Sequence, residues 1–140
     1  MQHNLSSVLI ALILAGTIGA AETVIVNAGL GVAENAKDDL GGMFEGKKAN
    51  WPSGAKVVLV TQPDAAVHET FLKAYVGKSP SQFANAWKKI VFTGKASAPV
   101  SAKSDAEVVE AVAKSAGAVG YISDPAAAAG KAGVTVVTVK

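Results

Sequence analysis

The side chains that could do chemistry are few and scattered. The chain has two histidines, and His68 is the only one past residue 21. It stands beside Glu69 in what reads as the first turn of a helix. A general base also needs a nucleophile and an orienting partner within reach, and no such partner is legible nearby. The expectation is a solvent-exposed His68–Glu69 pair with no catalytic role. A single histidine past residue 21 and no cysteine exclude a multi-histidine zinc site, a thiolate metal site, a disulfide and a cysteine nucleophile. The aspartates match no calcium loop, and no serine sits in a G-x-S-x-G elbow. Gly46-Lys47 and Gly94-Lys95 lack the glycine spacing and the following Ser/Thr of a phosphate-binding loop. Gly29-Leu30-Gly31 has no third glycine to complete a dinucleotide fingerprint, so it reads as a plain turn. No enzyme, no metal and no cofactor is expected.

Charge narrows the partners. Thirteen cationic residues oppose eleven carboxylates, and all thirteen are lysines. Arginine is the usual bidentate grip on phosphate, and here only point charges are offered. A formal net charge of +2 with dispersed lysines argues against a nucleic-acid partner.

The elements that must hold these residues follow from periodicity. Leu5 to Ile18 is a short apolar run followed by Gly19-Ala20-Ala21 and Glu22, the pattern of a secretory signal. The run is shorter than the roughly 20 residues of a membrane span, so cleavage after Ala21 is favoured over a retained anchor. The expected organisation is a signal over 1–21 and one domain over 22–140, with a periplasmic or secreted product and no membrane attachment after cleavage.

Glu22 to Gly29 reads as a first strand buried on both faces. Asn35 is expected to cap a helix with Asp38 and Asp39 in its first turn, ended by Gly46, with Lys47 and Lys48 favoured near its C-terminus. Gly41-Gly42 suggests close packing or a short helix. Lys56 to Thr61 reads as the central strand, and Asp64 as the cap of a helix over Ala65 to Val76, stopped by Gly77. Ser79, Pro80 and Gln82 open a third helix, with Phe83, Trp87, Ile90 and Val91 on its apolar face. Trp87 is expected in the core. Ser104 to Glu107 reads as a full capping box, with Val108, Val109, Val112 and Ala116 facing inward. A short strand over 119–122, a helical turn from Asp124-Pro125 and a last strand over Val134 to Val139 complete the order. The alternation predicts a three-layer α/β sandwich with a mixed sheet.

The segments Leu40-x-x-Met43-Phe44-x-Gly46-Lys47, Trp51, Phe92-Thr93-Gly94-Lys95 and Ala116-Gly117-Ala118-Val119-Gly120-Tyr121-Ile122 occur in an order and spacing that carry one further reading. This pattern resembles the phosphate-binding proteins of ABC transporters, over roughly Asp38 to Ile122. The resemblance implies one lobe of a type 2 periplasmic binding protein, exported and without enzymatic activity. It implies a small-anion site, inorganic phosphate first, at the Asp64-Ala65-Ala66-Val67 turn, with Thr61, Thr93 and Lys95 nearby.

Two departures accompany it. The 119 or so residues left after cleavage suffice for about one lobe. The Ser-Gly-Thr turn of the resembling family is replaced by Asp64 to Glu69, with no hydroxyl in its first four positions and an added carboxylate. Weak anion binding is therefore expected. The alternative is a non-catalytic adaptor that has lost its ligand and docks to a transporter, to another periplasmic protein or to itself.

Overall fold

The computed structural model describes residues 22–140. The expected signal and its cleavage point at residues 1–21 lie outside the described residues.

Among the described residues, seven strands and four α-helices follow one another: β1 (Thr23–Asn27), β2 (Glu34–Asn35), α1 (Lys37–Phe44), β3 (Val58–Thr61), α2 (Ala66–Tyr75), α3 (Pro80–Phe92), β4 (Val100–Ser101), α4 (Asp105–Lys114), β5 (Ala118–Ile122), β6 (Val134–Val136) and β7 (Thr138–Val139). Five of the strands form one mixed sheet in the order β4-β3-β5-β1-β6. β4, β3 and β5 run parallel, and β1 pairs antiparallel with β5 and β6. The centre of this sheet is β5, not the Lys56–Thr61 segment. All five residues of β5 are buried, whereas Val58 at the start of β3 is not fully so. A strand buried on both faces takes the middle.

Successive side chains of a strand point to opposite faces, and two cores result. Val24, Val26, Leu59, Val119 and Tyr121 pack on one face under α1, α2 and α3, with Phe44, Phe71 and Phe83. Ile25, Val60, Ala118 and Ile122 pack on the other under Val108 and Val112 of α4. The molecule is thus the expected three-layer α/β sandwich. Gly120 lets α4 settle on the sheet: a methyl there would come within 2.8 Å of Val108 and 3.2 Å of Val60. Gly41 brings α1 against the end of α2, since its missing Cβ would lie 2.4 Å from the Tyr75 carbonyl oxygen.

Several local expectations need correction. Asn35 does not cap α1: it pairs in β2 with Val139, and Ala36 takes the cap position without a side-chain bond. Asp64 does not cap α2 either, because Ala65 occupies that place. The last strand is broken in two at Val137, whose backbone N–H turns to Val24 and whose side chain enters the core. The chain thereby leaves the main sheet, and β7 pairs with β2 instead. Ala116 lies beyond the end of α4 and is exposed, and Val91 is half exposed rather than inside. The Ser79–Gln82 capping box is present in full. The second box is shifted: Ser104 accepts from Glu107 N–H, but the Glu107 carboxylate accepts from Lys103 N–H, one residue early.

Candidate functional site

Three parallel strands end at one edge of the sheet, and the chain leaves two of them directly into helices. β3 runs through Gln62 into α2, and β4 runs through Ala102 into α4. Crevices outside the carboxyl ends of parallel strands, faced by helix N-termini, are where α/β folds hold ligands. Thr61 and Asp64 to Val67 all lie here. Thr61 is buried, and its hydroxyl makes a long bond of 3.4 Å to the Val100 carbonyl. Asp64 and Ala66 are exposed, and Val67 faces the core. Ala65 N–H is taken by the Gln62 carbonyl and His68 N–H by the Ala65 carbonyl. Among the described residues, the N–H groups of Ala66 and Val67, the first two of the helix, have no backbone acceptor.

Thr93 and Lys95 are placed elsewhere. The Thr93 hydroxyl closes the end of α3 by donating to the Lys89 and Ile90 carbonyls at 3.1 and 3.0 Å. Lys95 borders a cavity whose wall includes Val57 and Val58, at the amino end of β3. Thr61 is at the other end, roughly 10 Å along the strand. The structure gathers five of the seven expected residues at one edge and keeps these two apart from them.

What the residue spacing did not reveal is a polar cluster in the same crevice. Asp105, in the first turn of α4, is ringed by donors. Gln62 Nε2 donates to Oδ1 at 2.8 Å, Ser123 N–H to Oδ1 at 3.0 Å, Ser123 Oγ to Oδ2 at 2.9 Å and Asp124 N–H to Oδ2 at 3.0 Å. Partial burial pushes this carboxyl up, but the donated hydrogen bonds from Gln62, Ser123 and Asp124 outweigh it and hold its pKa below the ordinary value. The crevice thus already contains one anion, and it belongs to the chain itself.

Behind it lies a buried pair. His68 is 4% exposed, contrary to the expected solvent-facing pair with Glu69. Its Nδ1 meets the Tyr121 hydroxyl, which also accepts Gln62 N–H at 3.0 Å. His68 also packs edge-on against Phe83, and Tyr121 stacks on Phe71 with ring centroids 4.2 Å apart. Burial lowers the His68 pKa, and the Asp64 charge opposes this. Burial raises that of the Tyr121 hydroxyl. A neutral imidazole and a neutral phenol sharing one hydrogen bond is a packing device, and neither touches a nucleophile. The signal was present: His68 shares a helix face with Phe71, Leu72 and Tyr75 at spacings of three, four and seven. A tyrosine within a wholly apolar strand also requires a polar partner.

No protein-family model matches the chain, and no curated protein matches it. Solved structures do. A putative phosphate ABC transporter substrate-binding protein from Clostridium perfringens, with bound phosphate, superposes with a TM-score of 0.64 at 17% identity, over 86% of this chain and 45% of its own. A possible phosphate-binding protein from Planctomyces limnophilus gives 0.62 at 18% identity, over 86% and 42%. An ABC-type phosphate transport receptor from Vibrio cholerae gives 0.51 at 16% identity, over 86% and 46%. The fold is the α/β lobe fold of these solved structures. The chain spans less than half the length of the solved structures it matches. Among the described residues, no helix is long and apolar enough to cross a membrane.

Proposed function

We propose that this chain is an exported, non-enzymatic binding domain of the phosphate-binding-protein type, and that it takes inorganic phosphate or a similar small anion weakly. The observation that carries this reading is the pair of open N–H groups of Ala66 and Val67 at the carboxyl end of β3. They sit where a helix dipole favours negative charge. The phosphate bound in the Clostridium perfringens relative supports the choice of anion.

The proposed site is the turn Asp64-Ala65-Ala66-Val67 with Thr61 behind it. Thr93 and Lys95 join it only if the chain rearranges on binding. Weakness follows from the surroundings. No hydroxyl lines the turn, the Asp64 and Glu69 carboxylates repel an anion, and the donors around Asp105 are already occupied. An expected dissociation constant near 1 mM corresponds to only about 4 kcal/mol of binding. Isothermal titration of the full chain with phosphate tests it: millimolar binding with shifted Ala66 and Val67 amide resonances supports the reading. No heat and no shifts at about 10 mM phosphate, tenfold above that constant, would overturn it.

A second reading is a non-catalytic adaptor that docks to a transporter component, another periplasmic protein or a second copy. Phe92 favours it, being 92% exposed at the end of α3 beside half-exposed Val91. Single exposed apolar side chains are common; a full aromatic ring in water next to a second apolar residue fits an interaction surface. Sedimentation of the chain and of Phe92→Ser distinguishes the two, since only the adaptor reading predicts self-association lost in the variant or a partner-dependent shift.

A further inference from the structure

A cavity of about 430 Å³ opens at the amino end of β3, at the opposite end of that strand from the proposed anion turn. Its floor is apolar: Met43 from α1, Val57 and Leu59 from the β3 segment, and Trp87 and Val91 from α3. Its volume falls in the range of small-molecule sites, which are mostly apolar with a few placed polar groups. The placed groups here share one sign. Lys48, Lys56 and Lys95 stand at its border, and no carboxylate is among the residues that line it. Lys48 is tied to Asp39. Lys56 and Lys95 make no ion pair among the described residues.

The walls are set by packing and do not depend on a ligand. The Trp87 indole N–H donates to the Phe44 carbonyl at 2.8 Å, which fixes the ring as one wall. Gly46, at φ +79°, turns the chain under Ile90, where any side chain would meet the isoleucine methyl at 2.7 Å. Lys95 N–H donates to the Ile90 carbonyl at 3.1 Å and holds the far rim in place. An apolar cavity bordered by two lysines that make no ion pair among the described residues is complementary to a molecule with an apolar body and one anionic head.

We propose that this cavity is a second ligand site, distinct from the proposed anion turn, and that it takes an amphipathic monocarboxylate, its apolar body against Val57, Val58 and Val91 and its head at Lys56 and Lys95. The two requirements act together. A bare anion gains only solvent-screened charge at exposed lysines, which is worth little. An uncharged apolar molecule gains burial but leaves the lysines unused. About 25 cal/mol accompanies each Å² of apolar surface removed from water, so the body supplies most of the affinity and the head supplies selectivity.

The test uses the full chain, with octanoate, 1-octanol and inorganic phosphate as probes, read by amide chemical shifts. Octanoate is expected to shift Gly46, Lys95 and Ala96. Octanol should bind roughly three- to thirtyfold more weakly, the loss expected for two exposed charge contacts. Lys56→Ala/Lys95→Ala should reduce octanoate binding by a similar factor and octanol binding by less. Ala98→Trp, at an exposed wall position, should block both. Equal binding of octanol and octanoate, octanoate shifts outside this cavity, or full octanoate affinity in the double variant would each overturn the proposal. Phosphate reports separately: silence with phosphate leaves this site standing, and phosphate shifts confined to Ala66 and Val67 leave it unaffected.

Discussion

The Tyr121 hydroxyl meets Nδ1 of His68 and accepts the Gln62 N–H. With a neutral imidazole protonated on Nε2, the hydroxyl donates to Nδ1. This bond ties α2 to the central strand β5 beneath the crevice, and it makes the protonation of one histidine a matter of fold stability.

That dependence has a definite sign. Burial lowers the His68 pKa below its ordinary 6.5, with Asp64 opposing. Below about pH 6.5 the unfolded chain binds a proton that the folded chain still refuses, so stability is full above that pH and falls as the pH drops toward the folded pKa. The melting temperature should decline between pH 7 and pH 5, and His68→Gln should flatten that decline while lowering stability at pH 7. An unchanged slope in the variant would assign the effect to other groups.

Asp105 has the carboxylate form of the same logic. Its donors from Gln62, Ser123 and Asp124 favour the ionised form, so its contribution is present above about pH 4 and is lost as the pH falls through its lowered pKa. Asp105→Asn places an amide N–H₂ against a site built of donors. A loss on the order of 1–3 kcal/mol is expected, since partners of a charged acceptor are left unpaired. Urea unfolding at pH 7 measures it, and a variant as stable as the parent would show that water replaces the carboxylate at no cost.

The contrast between these two residues shows what periodicity carries. The helix of Ala66 to Tyr75, the Ser79 cap and the apolar run of β5 depend on near neighbours in sequence, and they are legible there. The Asp105 cluster spans Gln62 to Asp124, and its longest bonded link, Gln62 to Asp105, crosses 43 positions. Its members each have an adequate local explanation as a cap, a loop serine or a strand end, so nothing local signals that they meet. The same limit applies to Lys56 and Lys95, which border one cavity only because α3 folds back over β3. The order of the strands was illegible for another reason: β3 and β5 both read as apolar runs, and only the pairing of β1 with β5 decides which is central.

Gly117 is set by backbone contact. It has φ +79°, and a Cβ there would lie 2.0 Å from the Lys56 carbonyl oxygen. Its own carbonyl accepts the Trp51 indole N–H at 2.8 Å and the Val58 N–H at 3.1 Å. Gly117→Ala must move the backbone that begins both β3 and β5 and carries the Trp51 anchor. A loss of at least about 2 kcal/mol is expected from the strained conformation and the clash together. Gly54→Ala is the control: it has φ +94° but nothing within 4 Å, so it reports the conformational cost alone. Thermal unfolding of the pair separates the two terms, and equal losses would remove the clash from the account.

The proposed anion turn can be tested by charge without disturbing the fold. Asp64 is exposed and makes no capping bond to α2, so Asp64→Asn leaves the helix start intact. The substitution removes a negative charge beside the open N–H groups of Ala66 and Val67. A charge at a helix N-terminus is worth roughly 0.3–1 kcal/mol at an exposed position, so phosphate affinity should rise about two- to fivefold. Glu69→Gln, one turn further into α2, should act in the same direction with a smaller effect. Both gains should shrink as salt is raised to 1 M, where the screening length falls to about 3 Å. Loss of the neighbouring Asp64 charge also removes what holds the His68 pKa up, so the pH-dependent decline in melting temperature should extend to lower pH in the same variant. Phosphate affinity indifferent to both substitutions, measured by titration calorimetry at low ionic strength, would place the anion away from this turn.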